Sequence, residues 1–216
     1  MPKILLTGAL RREYDSGQLL EIDMKDNPFE QLKLWLAEAI AHPVRLPDAM
    51  TLATVTPEGV PDARIVLLKD LDQSGLTFFT NYESPTGQHL KNNPHAACLF
   101  WWPEQERQIR ILGKVAVVTE KISDTYFQSR PRGSKLAAHA SPQSEVIKSR
   151  EWLDQQLESV GKSFENQEVT RPPHWGGYRI IPHTFEFWQG RTNRLHDRLK
   201  YRLEKNKVWI LERLAP

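Results

Sequence analysis

The feature that most constrains the fold is a series of short apolar segments between residues 49 and 118. The segments are rich in β-branched and aromatic residues, and turns at Pro57–Gly59 and Asp70–Gly75 interrupt them. Strands joined by short turns favour an antiparallel sheet or barrel. We therefore predict a mainly β protein with flanking helices, with its first strands at 50–56, 60–69, 76–80, 95–102 and 107–118.

Helical signals flank these strands. Asn27 can cap a helix that begins at Pro28, and Pro43 closes that helix. Further helices are predicted at 84–93, at 123–129 with Ser123 as the cap, and at 144–160. The apolar stripe of the first helix consists of Phe29, Leu32, Leu36, Ala39 and Ile40.

The last quarter of the chain returns to strands, predicted at 177–181, 184–188, 195–201 and 208–214. Strands near both ends of the chain imply one sheet closed from both termini. Gly-rich phosphate loops and alternating strand–helix units are missing from the sequence, which argues against Rossmann and P-loop folds. We predict one domain at 27–216, preceded by a mobile arm or lid at 1–26.

Composition narrows the class of protein. The net charge of +2 is too small to favour nucleic acid or a membrane as partner, and no stretch of the sequence approaches the length of a bilayer span. The single cysteine, Cys98, lies in the apolar run AACLFWW and is expected to be a small buried hydrophobe. One thiol fits a reducing compartment, so we expect a cytoplasmic protein.

The segment FWQGRTNRLHDR, from Phe187 to Arg198, concentrates chemistry-bearing side chains. If the chain re-enters a strand at Arg194, alternation places Arg194, His196 and Arg198 on one face. Cationic and proton-carrying groups on one face repel one another unless an anion lies among them. The alternative is a solvated basic edge strand that discourages aggregation.

Two strands carry further polar candidates. Arg64 and Lys69 lie near opposite ends of an apolar strand, and strict alternation would place them on opposite faces. A bulge or the end of the strand must redirect one of them if both serve one site. Gln108 and Arg110 share a face away from Ile109, and a strand glutamine can recognise the edge of a heterocycle or simply form a cross-strand pair.

A third cluster comprises Tyr126, Arg130 and Ser134, followed by Gln143 and Ser144. Tyrosine, arginine and serine, with a lysine elsewhere, are typical of a phosphate monoester site. The sequence offers no metal site, because no HxH or HExxH spacing occurs among the histidines.

Taken together, these segments resemble the pyridoxine/pyridoxamine 5′-phosphate oxidase family from Arg11 to the C-terminus. The order and spacing of the segments together are more specific to the family than any single segment. The matching segments are RREY (11–14), RIVLLK (64–69), FFTN (78–81), RQIR (107–110), YFQSRPRGS (126–134), SPQS (141–144), WGGY (175–178), FWQGRTNRLHDR (187–198) and the terminal ERLAP.

The resemblance implies an FMN-binding split β-barrel that works as a homodimer, with two active sites at the subunit interface. It implies oxidation of pyridoxine and pyridoxamine 5′-phosphates to pyridoxal 5′-phosphate with O₂ as acceptor, and Arg194 and His196 as catalytic residues. The FMN contacts it implies are Arg64, Ile65, Val66, Leu67, Leu68, Lys69, Phe79, Thr80, Gln108, Gln143, Ser144, Trp188 and Arg198. The substrate contacts it implies are Arg11, Tyr14, Lys69, Tyr126, Arg130, Ser134, Arg194 and His196.

The chain departs from the family after Ser84. Two basic residues that clamp the FMN phosphate are usual there, whereas this chain has Pro85 and Thr86. The substitution predicts weaker FMN binding. Two alternative functions are a flavin reductase of the same barrel class and a non-enzymatic carrier of pyridoxal phosphate.

Overall fold

Nine strands and five helices make up the part of the chain that the structure, a computed structural model, describes, residues 13–216. The mainly β, antiparallel prediction is confirmed. The helices are α1 (Pro28–Ala41), α2 (Pro85–Asn92), α3 (Glu120–Ser129), α4 (Arg132–Ala140) and α5 (Arg150–Ser163). The strands are β1 (Ala49–Val55), β2 (Pro61–Leu67), β3 (Asp70–Asp72), β4 (Gly75–Asn81), β5 (His95–Trp102), β6 (Arg107–Val117), β7 (Trp175–Gln189), β8 (Asp197–Leu203) and β9 (Trp209–Leu214).

The strands pair in the order β2-β1-β5-β6-β7-β4-β3, and β8 pairs with both β7 and β9. The chain divides into two compact units. The first contains residues 13–47, 99–111 and 184–216, and the second contains residues 48–98 and 112–183. Strands β5, β6 and β7 each contribute residues to both units. The prediction of a single domain at 27–216 after a mobile arm stays a prediction.

Helix α1 begins as its sequence predicts. The Asn27 side chain accepts a hydrogen bond from the backbone N–H of Phe29, and Pro28 occupies the first helical position. Phe29, Leu32 and Ala39 are buried as expected. Ile40, however, is 70 % exposed and Trp35 is buried in its place, so the predicted stripe is displaced round the helix.

Other boundaries differ from the predictions. Helix α3 starts three residues earlier than expected, because Thr119 and not Ser123 accepts from a first-turn N–H, that of Ile122. Helix α5 starts only after its cap Ser149, because Ser144 has a left-handed backbone with φ of 73°. Helix α4 and strand β3 were not predicted, and β7 is one continuous strand where two were predicted.

The aromatic core of the first unit is formed by α1 and the C-terminal half of β7. Phe29 contacts Phe185 edge-to-face with ring centroids 5.2 Å apart, and Trp35 contacts Phe187 in the same way at 5.1 Å. Both phenylalanines of β7 are fully buried. Cys98, in the second unit, is buried as predicted, and burial raises the pKa of its thiol to about 12.

Arg213 fastens the N-terminal segment of the first unit to β9. Its guanidinium binds both carboxylate oxygens of Glu21 at 2.7 and 2.8 Å and donates to the backbone oxygen of Leu19 at 2.9 Å. It also pairs with Asp197 at 2.6 Å. We call these four residues the Arg213 clamp. The hydrogen bond from Arg213 lowers the pKa of Glu21 to about 2.

Candidate functional site

A cavity of about 270 Å³ in the second unit gathers three predicted cations from two separate segments, 64–69 and 126–134. Strand β2 ends at Leu67, so the chain has left the strand before Lys69. Because strict alternation no longer applies beyond Leu67, Lys69 and Arg64 line the same cavity, as the strand-end alternative required. We call it the phosphate cavity, after the phosphate sites that the sequence predicts. It is lined by Arg64, Ile65, Val66, Leu67, Lys69, Phe79, Thr80, Thr86, Tyr126, Arg130, Gln143 and Trp175.

Two of the cavity cations are paired with carboxylates that the sequence analysis missed. Arg64 forms an ion pair with Asp62 and donates to the Thr54 hydroxyl at 2.6 Å. Lys69 Nζ lies 2.9 Å from Asp48 Oδ2. Asp62 could have been found from its position two residues before Arg64 on the same strand face. Asp48 is 21 residues from Lys69 and gives no local signal.

Arg130 is the third cation, and its surroundings are aromatic. Its guanidinium carbon lies 4.5 Å from the centroid of the Trp175 ring and 5.5 Å from that of Phe127. Its Nη1 is buried and has no hydrogen-bond partner among the described residues. Burial lowers the pKa of Arg130 below its usual range. A buried, unpartnered guanidinium nitrogen is suited to an anion that enters the cavity.

The aromatic side of the cavity is a stack. The rings of Phe79 and Tyr126 are stacked with centroids 3.9 Å apart, and Trp175 lies parallel to Phe79 at 5.4 Å. Phe127, Val169 and Trp175 form a buried cluster behind them. This packing fixes the phenol of Tyr126 and the guanidinium of Arg130 on adjacent turns of rigid structure.

Helix α2 brings its N-terminal turn to the phosphate cavity through Thr86. The Ser84 side chain caps the helix by accepting from the backbone N–H of Gly87 at 3.4 Å. A Cβ at Gly87 would lie 2.1 Å from the backbone oxygen of Tyr82, so this position requires glycine. A helix N-terminus favours an anion. At this turn, Pro85 and Thr86 contribute no charge of their own.

Other predicted residues of the second unit lie at the margin of the cavity or away from it. Gln143 lines the cavity and donates to the Thr80 hydroxyl at 3.4 Å. Ser144 is exposed, and the side chain of Leu68 is buried in the core. Ser134 lies in the first turn of α4, and the cavity lining does not include it.

In the first unit, His196 packs against two aromatic rings that also contact each other. The centroid of the Trp188 ring lies 4.7 Å from that of His196, and the centroid of the Tyr14 ring lies 5.5 Å from it. The backbone N–H of Arg191 donates to His196 Nδ1 at 3.1 Å. We call Tyr14, Trp188 and His196 the ring cluster. Arg11, predicted beside Tyr14, lies outside the described residues.

The predicted strand alternation around Arg194 is wrong. Thr192–Arg194 is a turn of 3₁₀ helix, and Asn193 and Arg194 have left-handed backbones with φ of 55° and 60°. Strand β8 begins only at Asp197, so Arg194 and His196 precede it and alternation does not govern them. Consecutive left-handed residues break the pleat. Arg194 consequently lies exposed in a turn, outside the paired residues of β8.

Arg198 lies on β8 and is held by a carboxylate. Glu186, on β7, is only 7 % exposed. Its two oxygens bind Arg198 Nη2 at 2.8 Å and Arg110 Nη1 at 3.2 Å. Gln108, next but one to Arg110 on β6, is half-buried, and Ile109 between them is fully buried, as the alternation predicted. Glu186 was missed, although alternation with Trp188 on the same strand could have indicated it.

Residues 13–216 lack two features, a candidate metal site and a membrane-spanning helix. No group of three or more His, Cys, Asp or Glu side chains could hold a metal ion there. Within the same residues, no helix is both long and apolar enough to cross a bilayer.

Comparisons with known proteins agree with this arrangement. The pyridoxine/pyridoxamine 5′-phosphate oxidase of Trichormus variabilis is 53 % identical over 207 residues, covering 96 % of this chain and 97 % of that protein. The crystal structure of PhzG from Burkholderia lata, in complex with tetrahydrophenazine-1-carboxylic acid, has a TM-score of 0.86 and 32 % identity, covering 92 % of this chain and 98 % of that one.

A third likeness bears on the fold alone. A pyridoxamine 5′-phosphate oxidase-related, FMN-binding protein from Nostoc punctiforme has a TM-score of 0.72 at 16 % identity, covering 89 % of this chain and all of that one. This likeness and that to PhzG confirm the split-barrel fold class. Residues 175–216 match the pyridoxine 5′-phosphate oxidase C-terminal dimerisation region. Residues 36–163 match the pyridoxamine 5′-phosphate oxidase family itself, and the chain belongs to that family.

Proposed function

We propose that this chain is an FMN-dependent oxidase that converts pyridoxine and pyridoxamine 5′-phosphates to pyridoxal 5′-phosphate, with O₂ as the final acceptor. The observation that carries the proposal is the buried Nη1 of Arg130, which has no hydrogen-bond partner in the described residues although it lines a cavity with two other cations. A phosphate monoester supplies the oxygens that such a nitrogen requires.

The phosphate cavity fits two anionic groups. Arg130 and Tyr126 suit the substrate phosphate, and Lys69 lies in the same lining. Arg64 and the first turn of α2 suit the FMN phosphate. The backbone of Ile65–Leu67, on the edge strand β2, and the hydroxyl of Thr80 line the same cavity and are assigned to the flavin. When bound, FMN accepts a hydride from C4′ of the substrate and later passes the electrons to O₂.

The ring cluster serves the pyridine part of the substrate. Arg194 supplies a cation for a substrate oxyanion, and His196 supplies a polar ring edge held against Trp188. Arg198, oriented by Glu186, supplies a cation for the flavin. Tyr14 brings the N-terminal segment into contact with His196. The roles of Gln108, Gln143, Ser144 and Ser134 remain predictions.

We infer that the active site forms between two copies of the chain. The phosphate cavity belongs to the second unit and the ring cluster to the first. Trp188, Arg194, His196 and Arg198 all lie within the matched dimerisation region. A homodimer that pairs one copy's cavity with the other copy's ring cluster would give two sites. A cytoplasmic location, supported by the single cysteine, completes the proposal.

Anaerobic mixing tests the reaction. FMN-loaded protein is mixed with pyridoxine 5′-phosphate without oxygen, and the flavin absorbance is followed. We expect bleaching, with recovery when air is admitted. Unphosphorylated pyridoxine at the same concentration serves as the control and should bleach the flavin far more slowly. Binding of pyridoxal phosphate without any bleaching by pyridoxine 5′-phosphate would identify a carrier and refute the oxidase.

A further inference from the structure

The hydrogen bond between Arg191 and His196 determines which ring nitrogen can carry a proton. The backbone N–H of Arg191 lies 3.1 Å from His196 Nδ1. A backbone N–H can only donate, so Nδ1 must present a lone pair to it. In the neutral imidazole the single proton then lies on Nε2. This is a constraint on His196 imposed by the main chain, and it needs no neighbouring carboxylate.

The charged groups around His196 are engaged elsewhere. The Arg191 guanidinium is paired with Asp197 at 3.0 Å. Asp197 also pairs with Arg213 and accepts from the backbone N–H of Leu19 at 3.1 Å. The rings of Trp188 and Tyr14 pack against the imidazole at interplanar angles of 46° and 73°. Nε2 has no hydrogen-bond partner within residues 13–216, and it is therefore the ring nitrogen left for a ligand.

We propose that His196 serves the oxidation as a neutral hydrogen-bond donor, through Nε2–H, to an oxygen lone pair of the bound pyridine phosphate. It does not act as the base that removes a proton from the substrate's hydroxyl or amine. A neutral imidazole accepts a proton only at its bare nitrogen. Here that nitrogen is Nδ1, which is bonded to Arg191, whereas the nitrogen available to substrate already carries its proton.

The donor role of His196 rests on the proposed function, whereas the tautomer of its ring can be measured independently of that function. Nitrogen NMR of the FMN-loaded dimer labelled with ¹⁵N-histidine distinguishes the two tautomers directly. The resonances of His196 are those missing from the His196→Gln spectrum. At about pH 8, where an ordinary histidine is neutral, we expect a protonated Nε2 and a bare Nδ1. A proton on Nδ1 would overturn the proposal, whatever reaction the protein catalyses.

A pair of variants tests the role in catalysis. The amide of glutamine can place an N–H donor near the position of Nε2, whereas that of asparagine reaches only the position of Nδ1. We expect His196→Gln to keep the rate of flavin reduction within about tenfold of the parent, and His196→Asn to lower it about a hundredfold. Glutamine cannot act as a base at neutral pH. Equal losses of about a hundredfold or more in both variants would therefore show that a proton acceptor is needed and would refute the donor role.

The two failures are distinguishable. If the parent protein does not reduce FMN with pyridoxine 5′-phosphate, the proposed function fails, while the NMR measurement still reports the tautomer. If the parent is active and both variants bind FMN as the parent does, the ratio of their reduction rates decides between donor and base. FMN affinity, measured by fluorescence quenching, confirms that neither substitution disrupts the fold.

Discussion

Arg64 lines the phosphate cavity while its guanidinium is ion-paired with Asp62, two residues earlier on the same strand. If Arg64 binds the FMN phosphate as proposed, that phosphate competes with a carboxylate that is already in place. Asp62 is partly exposed, with 46 % of its side chain accessible, so the competition is moderated by solvent. This pairing, in addition to the missing basic pair after Ser84, predicts that the protein loses FMN readily.

Replacing the competitor should strengthen the cofactor site. We expect Asp62→Asn to tighten FMN binding about two- to fivefold, because the exposed pair is worth at most about 1 kcal/mol. Fluorescence quenching of FMN titrated into apo protein measures the affinity. Asp72→Asn, which removes a carboxylate paired with Arg179 on the same unit, is the matched control and should leave the affinity unchanged. Weaker binding in Asp62→Asn would show that Asp62 positions Arg64 and does not compete for it.

Restoring the basic pair is a second route to tighter binding. The double variant Pro85→Arg with Thr86→Lys adds two cations at the first turn of α2 and should tighten FMN about ten- to a thousandfold. The rate of the FMN-saturated enzyme should stay the same, because neither residue belongs to the ring cluster that is proposed to act on the substrate ring. Equal affinities of parent and variant would mean that Arg64, Lys69 and the helix N-terminus already suffice.

Arg130 should be important for the substrate and dispensable for the fold. Arg130→Met removes the unpartnered Nη1, and we expect the KM for pyridoxine 5′-phosphate to rise about ten- to a hundredfold. Because burial disfavours the charge of the guanidinium, the melting temperature of the ligand-free protein should not fall. Arg132→Met is the control. It loses two hydrogen bonds, to Phe164 and Gln167, and should lower the melting temperature with no change in KM.

Arg194 should affect the reduction step without affecting cofactor binding. Arg194→Ala is expected to slow flavin reduction about ten- to a hundredfold while FMN affinity stays nearly constant. Arg194→Gly should react at the same rate as Arg194→Ala, since both lack the guanidinium. The free energy of unfolding of Arg194→Gly should exceed that of Arg194→Ala by about 1 kcal/mol, because the φ of 60° at this position favours glycine. Loss of FMN from Arg194→Ala, with a normal rate after resaturation, would contradict the assignment.

The Arg213 clamp predicts a pH-dependent contribution to stability. Since the pKa of Glu21 is lowered from 4.5 to about 2, its contribution is present above pH 4.5 and is lost as the pH falls towards about 2. Glu21→Gln should thus lower the free energy of unfolding at neutral pH, and the difference from the parent should vanish near pH 2. Urea denaturation at a series of pH values measures it. Glu145→Gln, at an exposed position, should show no such difference.

Local signals predicted the strands and the first helix well, because alternation and capping depend on neighbours in sequence. Strand β5 has the predicted boundaries, and Asn27 caps α1 as expected. Two of the failures, at Arg194 and at the start of α5, arise where backbone conformation departs from the average for its residues. Asn193, Arg194 and Ser144 all have left-handed backbones, which side-chain patterns do not reveal.

The site was predictable in its cations and much less so in their partners. Arg64, Lys69, Tyr126 and Arg130 share a cavity as their segments suggested. Asp48 and Glu186, which orient Lys69 and Arg198, act across 21 and 12 residues. Single acidic residues at such separations have no distinctive pattern in sequence. Only the folded chain brings them to their cations.

The sharing of β5, β6 and β7 between the two units also bears on how this protein can evolve. Each of these strands supplies residues to the unit with the phosphate cavity and to the unit with the ring cluster. No single crossover between two genes could exchange one unit and leave the other intact, because each unit is made of segments that alternate along the chain with those of the other. Cofactor affinity and binding of the substrate ring are therefore expected to change through point substitutions, as at Pro85 and Thr86, and not through the transfer of a module.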